Sequence, residues 1–236
     1  MKIEELAYHT TDLGELTLRR RIEPRLQNRE VFEVKLGDEF LMSSLFTEAE
    51  KELANFGLKE LTGELDVVVG GLGLGYTAVA ALENENVCSL LVIDKFREVI
   101  DWHKQKLVPL GRILSEDKRC ELRQGDFFEL ANSGFDIFNN QRKFDAVLLD
   151  IDHSPEHYLD EKNVSFYSLK GLKSLRKQLK NGGVFALWSN DPPDDEFTKH
   201  LKSVFGKASA HNIEFANPYK NSTSVNSIYV ARLDFT

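Results

Sequence analysis

The sequence predicts an α/β protein built on a doubly wound, seven-stranded, mostly parallel sheet, with a small N-terminal β element ahead of it. Two observations carry this reading. From Leu65 onward, short apolar runs alternate with helical lengths, the pattern of a parallel sheet covered on both faces. The first sixty residues instead alternate loosely and carry turn signals, the texture of antiparallel strands.

Taken in order, residues 15–21 and 31–35 are expected as strands, and Gly37-Asp38 as the turn before a third at 39–42. Thr47 stands three residues before Glu50, a capping-box spacing that predicts a helix running to Phe56, with Gly57 as its stop. Residues 1–60 are thus read as an antiparallel β element plus a leading helix, and 61–236 as the main domain. Within the latter the expected strands are 65–69, 89–93, 120–124, 146–149 and 184–188, and the expected helices 77–83, 98–106, 127–131, 166–179 and 196–204. Two extended segments, 213–215 and 227–233, joined by the loop 217–223, close the chain as a hairpin.

Composition narrows the function. The 236 residues carry 30 Lys and Arg against 38 Asp and Glu, a formal charge of −8, and 42% apolar residues, roughly 48% with the 15 glycines, as in soluble globular proteins. An acidic chain lacks the clustered basic face that nucleic-acid binding needs, and Arg19-Arg20-Arg21 is expected to be a solvated strand end. The apolar runs are far shorter than the ~20 residues of a membrane span. The start, Met1-Lys2-Ile3-Glu4-Glu5, is acidic, with no apolar stretch to make a secretory leader. Cys88 and Cys120 form neither a disulfide framework nor a metal pair, so a reduced, cytoplasmic protein is expected.

The sharpest motif is Val67-Val68-Val69-Gly70-Gly71-Leu72-Gly73-Leu74-Gly75-Tyr76-Thr77-Ala78, a strand, a glycine-spaced turn and a helix start. Glycines there let the backbone pass close to a nucleotide while the helix N-terminus faces it; tight strand-to-helix packing is the competing explanation. Nineteen residues after Gly75, Asp94 ends an apolar run, where a carboxylate accepts from ribose hydroxyls or caps a helix. Gly125-Asp126 follows the third strand; Asp126 either accepts from an adenine amino group, caps the next helix, or does both. Asp150 ends the fourth strand and Asp152 and His153 follow, at the carboxyl edge where open sheets bind ligands, so the reaction is placed there. His153 and His157 raise the question of a metal, but Pro155 interrupts their spacing, and no metal is expected. His9, His103, His200 and His211 show no partner pattern and are expected at the surface. Phe127, Phe128, Phe135, Phe138 and Phe144 are expected to pack rather than stack on bases.

Together, the glycine loop, Asp94, Gly125-Asp126, the run from Phe144 to Asp150, the Gly182-Gly183 turn and the closing hairpin resemble the Rossmann-like, class I S-adenosylmethionine-dependent methyltransferase fold. Within it the chain is most similar to the spermidine synthase (polyamine aminopropyltransferase) family, whose N-terminal hairpin resembles the stretch from Gly37 to Leu41. The resemblance implies transfer of an aminopropyl group from decarboxylated S-adenosylmethionine to a polyamine-type amine. It further implies that Gly71, Gly73 and Gly75 approach the nucleoside, Asp94 holds the ribose, Gly125 and Asp126 receive the adenine, and Asp150 is the base. Asp152, His153 and Glu50 are the expected substrate-binding residues, and a homodimer is the expected assembly. The family's acid among the loop glycines is replaced by leucines here, and its usual Asp-Ser-Ser-Asp-Pro run becomes Asp150-Ile151-Asp152-His153-Ser154-Pro155. The alternatives are a small-molecule methyltransferase using intact S-adenosylmethionine, a nucleoside-binding homologue without catalysis and, more remotely, a nicotinamide dehydrogenase.

Overall fold

A computed structural model describes residues 3–136, 138–139, 141–220 and 222–234. Met1 and Lys2 of the N-terminal reading, and Asn221 of the predicted hairpin loop, lie outside the described residues.

Four antiparallel strands, β1 (Ile3–Thr11), β2 (Gly14–Glu23), β3 (Arg29–Leu36) and β4 (Glu39–Ser43), form the N-terminal sheet in that order. β1 is the strand the pattern hides. Its polar residues face outward on both sides, and only Leu6 and Ala7 pack on the core, so no alternation shows. The triple arginine is not simply solvated. Arg21 bonds Glu33 at 2.7 Å, Glu23 at 2.6 Å and the Tyr219 hydroxyl at 2.7 Å, and Tyr219 in turn donates to Glu23 at 2.9 Å. These bonds tie the small sheet to the C-terminal hairpin.

Helix α1 (Glu48–Leu58) follows. Thr47 takes the N-cap position but its side chain makes no cap bond; its backbone N–H donates instead to Glu48 at 2.9 Å. The expected capping box is therefore not formed. Gly57 is not a stop either. It lies inside the helix, where a Cβ would collide with Leu148 and stand 3.3 Å from Ala186, so the glycine lets α1 lie close on the large sheet.

The large sheet is built from β5 (Leu65–Gly70), α2 (Tyr76–Leu82), β6 (Val87–Asp94), α3 (Arg97–Lys104), α4 (Gly111–Glu116), β7 (Cys120–Gln124), α5 (Phe127–Ser133), β8 (Phe144–Leu149), α6 (Val164–Tyr167), α7 (Leu169–Arg176), β9 (Leu179–Ser189), α8 (Asp195–Phe205), β10 (Gly206–Asn217) and β11 (Ser222–Leu233). Its strand order is β10-β11-β9-β8-β5-β6-β7, parallel from β9 to β7, with β11 antiparallel between β9 and β10. All seven predicted strands are present. The helix expected over 166–179 is two helices, because Ser168 leaves the helical conformation and its hydroxyl caps α7 through the Gly171 N–H. The short helix α4 has no counterpart in the prediction.

Successive residues of β5 show why both faces must be covered: Val67 and Val69 pack in one cluster with α1, α2 and α3, and Val68 in the other with α5 to α8. Phe127, Phe135 and Phe144 are buried in the second cluster, as expected of packing residues, whereas Phe138 is 90% exposed. No described helix is long and apolar enough to cross a membrane. The chain leaves β5 toward β6 and β7, then crosses back to β8 and β9, so strand order reverses between β5 and β8.

Candidate active site

A cavity opens at that reversal, walled by the ends of β5, β6 and β8 and covered by Leu41 and Met42 of the small sheet. The glycine loop makes its floor. Gly71, at φ +93°, sits where a Cβ would collide with the Asp150 carbonyl oxygen; only glycine lets the ends of β5 and β8 meet. Gly73, at φ +46°, packs its bare Cα against the Met42 sulfur, and the Leu74 N–H donates to that sulfur at 2.9 Å. Gly75 stands apart from the cavity wall. It starts α2, and a Cβ there would come within 2.6 Å of Leu114 and 2.9 Å of His103.

Asp94, buried at the end of β6, lines the cavity. Its Oδ2 accepts from the Leu72 N–H at 2.9 Å and its Oδ1 from the Phe96 N–H at 2.8 Å, so it shapes both the glycine loop and the entry to α3. Burial pushes its carboxyl up to about 6, against the lowering effect of those backbone bonds. Asp126 does what both of its readings require. Oδ1 caps α5 through Phe128 and Glu129, while the side chain also lines the cavity, with Oδ2 3.9 Å from Lys95 Nζ. Gly125 is set back from the wall, its Cα facing Leu130 and Ile93.

The end of β8 brings in Asp150. Its backbone N–H donates to Gly70, and its Oδ2 accepts from the Thr77 hydroxyl at 2.7 Å. Glu50, from the first turn of α1, lines the same cavity. Desolvation raises both carboxyls above their ordinary values, and the Asp150 charge raises Glu50 further. His153 also lines the cavity, with Nε2 3.5 Å from Glu39.

Asp152 corrects the sequence reading. It is 1% exposed and turned away from the cavity, accepting from the Leu159 N–H at 2.8 Å, the Asn163 amide at 2.9 Å and the Tyr167 hydroxyl at 2.8 Å. Its oxygens are occupied by these bonds, which tie the segment after β8 to α6, and it is not among the cavity-lining residues. The two histidines have different partners: His157 pairs with Asp191 at 2.9 Å and with Ser154 at 3.0 Å, whereas His153 faces Glu39. Among the described residues no group of three or more His, Cys, Asp or Glu converges as metal ligands would.

Several cavity residues escape sequence reasoning. Lys95 follows Asp94, and its Nζ lies 3.4 Å from Asp160 and 3.9 Å from both Asp12 and Asp126. It is the only Lys or Arg among the described cavity-lining residues, beside Glu50, Asp94, Asp126, Asp150 and Asp160. Trp188, at the end of β9, lines the cavity and keeps a buried, unpartnered indole N–H. His103, expected at the surface, is 0% exposed beneath the glycine loop. Its i, i+4 spacing from Val99 on an apolar helix face was the available signal.

A crossover at the β5/β8 switch point, the seven-stranded order with its terminal hairpin and the small N-terminal antiparallel sheet define a protein of the spermidine synthase fold, a class I methyltransferase-like architecture. The chain aligns over 98% of its length with a spermidine synthase solved with the transition-state analogue AdoDATO (TM-score 0.75, 16% identity, 74% of that chain). It aligns equally far with the spermidine synthase of Thermotoga maritima (TM-score 0.73, 16% identity, 73% of that chain). In sequence it is similar to polyamine aminopropyltransferase 2 of Pseudomonas aeruginosa, 27% identical over 157 residues, and to the polyamine aminopropyltransferase of Nitrosomonas europaea, 32% identical over 128. Those matches cover 62% and 53% of this chain but only 41% and 35% of the two relatives, so the chain spans well under half the length of the curated proteins it matches. No family model matches it.

Proposed function

We propose that the chain is a transferase that moves an aminopropyl group from decarboxylated S-adenosylmethionine to an amine. The observation that carries this reading is the charge of the cavity: among the described residues five acids line it, and the one Lys or Arg that does, Lys95, already faces three carboxylates. An intact methionine tail would bring a carboxylate into that field, whereas the decarboxylated tail ends in an ammonium alone. The names of the relatives and the fold support the same conclusion.

The residues present suit the nucleoside. Gly71 and Gly73 line the cavity with bare backbone, and a Cβ on either would run into Asp150 or Met42. Asp94 and Asp126 each retain lone pairs toward the cavity after serving their backbone donors, the first for ribose hydroxyls and the second for a base amino group. When bound, the cofactor supplies a sulfonium whose neighbouring carbon is open to displacement by an amine. Asp150 would take the proton of the incoming ammonium, freeing the nitrogen lone pair. Its raised proton affinity brings it closer to that task than an ordinary carboxylate. Glu50, its proton affinity raised by burial and by Asp150, would accept a hydrogen bond from the amine and limit its freedom. His153 and Trp188 would shape the acceptor end, and we further propose residues 1–60 as the covering unit and 61–236 as the transferase domain.

Calorimetric titration with decarboxylated and intact S-adenosylmethionine and with their thioether products tests this. The expected result is at least tenfold tighter binding of the decarboxylated form, about 1.4 kcal/mol, together with transfer to a member of a diamine panel. Preference for the intact form would indicate methyl transfer. Tight thioether binding with no transfer to any amine would indicate a protein without catalysis.

A further inference from the structure

His103 lies under the glycine loop, outside the cavity, and bonds to the loop's central peptide. Its Nε2 is 2.9 Å from the carbonyl oxygen of Gly73. A carbonyl only accepts, so Nε2 carries the hydrogen. Nδ1 is sealed from solvent and has no partner, a tolerable state for the bare nitrogen of a neutral imidazole and a costly one for a second N–H. The tautomer is therefore decided by the surroundings. Two glycines make room for the residue: a Cβ on Gly75 would stand 2.9 Å from its ring, and one on Gly111 2.7 Å from its carbonyl oxygen. On the other side of the same peptide, the Leu74 N–H donates to Met42 Sδ. The Gly73–Leu74 peptide is thus gripped at its oxygen by α3 and at its N–H by β4, with Gly73 in a left-handed conformation.

We propose that His103 is a positioning residue for nucleoside binding: its Nε2–H holds the Gly73–Leu74 peptide in the orientation that lets the glycine loop floor the cavity. The ligand half of this inference rests on the reading of the cavity as a nucleoside site. Burial also pushes the imidazole's pKa down to about 4, so the ring stays neutral near pH 7.

The test compares His103→Gln, whose amide offers an N–H close to the position of Nε2, with His103→Leu, which fills space and donates nothing. Each full-length variant is titrated calorimetrically with 5′-methylthioadenosine, and amide hydrogen exchange is followed over residues 71–75. Binding within threefold of the parent for Gln, at least tenfold weaker binding for Leu, and an amine KM within twofold for both are expected. Exchange in the loop should quicken in the Leu variant alone, and ¹⁵N spectra of the parent should show the Nε2–H tautomer. A folded Leu variant that binds as tightly as the parent, or equal losses in both variants, would overturn the proposal. If the parent itself fails to bind, the nucleoside reading falls, while loop exchange still decides the hold: unchanged exchange in the Leu variant overturns it.

Discussion

The Thr77 hydroxyl donates to Asp150 Oδ2 at 2.7 Å and stands 3.2 Å from the carbonyl oxygen of Glu50. One hydroxyl proton serves the shorter contact, so Thr77 from α2 stabilises the ionised form of the carboxylate at the end of β8. It also lies against the helix that supplies the second acid of the pair. This is the one hydrogen bond that lowers the proton affinity of Asp150 against its burial.

Replacing Thr77 by Val removes that donor, and the Asp150 pKa should rise. A hydrogen bond to a charged group contributes about 1.5 kcal/mol, so the acidic limb of the pH–rate profile should move up by about one unit. A rate profile measured from pH 5 to 9 checks this; an unmoved acidic limb would exclude Asp150 as the titrating base.

Glu50→Gln removes the carboxyl whose proton affinity Asp150 raises, without changing the glycine loop. The amine KM should rise about tenfold, the loss of roughly 1.4 kcal/mol of binding, while the affinity for the thioether nucleoside stays within twofold. Steady-state kinetics on the preferred amine, paired with calorimetry, separate the two effects. An equal loss of nucleoside affinity would place Glu50 on the cofactor instead.

Burial of His103 makes stability depend on pH with a definite sign. Its folded pKa, about 4, lies below the ordinary value of 6.5, so the unfolded chain takes up a proton first as pH falls. The stability it contributes is fully present above about pH 6.5 and is lost as pH falls through about 4, to the extent of about 3 kcal/mol. Urea unfolding of the parent and of His103→Gln at pH 7 and pH 4.5 should show the parent losing stability more steeply. Parallel losses would mean that the ring charges without penalty.

The glycines should sort by geometry. Gly71→Ala drives a Cβ into the Asp150 carbonyl oxygen at a left-handed φ, and should cost about 3 kcal/mol or more. Gly125→Ala has an ordinary φ and meets the movable end of Leu130 at 3.0 Å, so a change below about 1 kcal/mol is expected. Thermal unfolding of the two variants reads the difference directly, and similar midpoints would refute the assigned close approach.

Much of this site is legible in the chain because it lies at strand ends. Gly71, Gly73, Asp94, Asp126 and Asp150 each sit at or just beyond the last residue of a parallel strand; β5, β6 and β8 announce themselves by apolar runs, and β7, at the sheet edge, by alternating apolar and charged residues. Glu50 was reached only through the family resemblance, as a carboxylate that could serve the substrate, and the structure places it on the cavity wall. Asp152 shows the limit of such reasoning: it stands two residues from Asp150, yet it faces Asn163 and Tyr167. In an irregular segment, neighbours in sequence need not share a direction.

What the amino-acid sequence determined by itself is the seven strands of the large sheet, the glycine turn after β5 and the acids at the ends of β6 and β8. Each of these follows from local chemistry: apolar periodicity, backbone freedom at glycine, and carboxylates placed where strands stop. The tertiary structure alone decided that Met42 from the small sheet lies on Gly73, that His103 holds the loop from below, that Lys95 stands among three carboxylates and that Glu50 and Asp150 line one cavity. Those relationships join residues up to about a hundred positions apart, and they come from how helices and a second sheet pack on the large one, which no local pattern encodes.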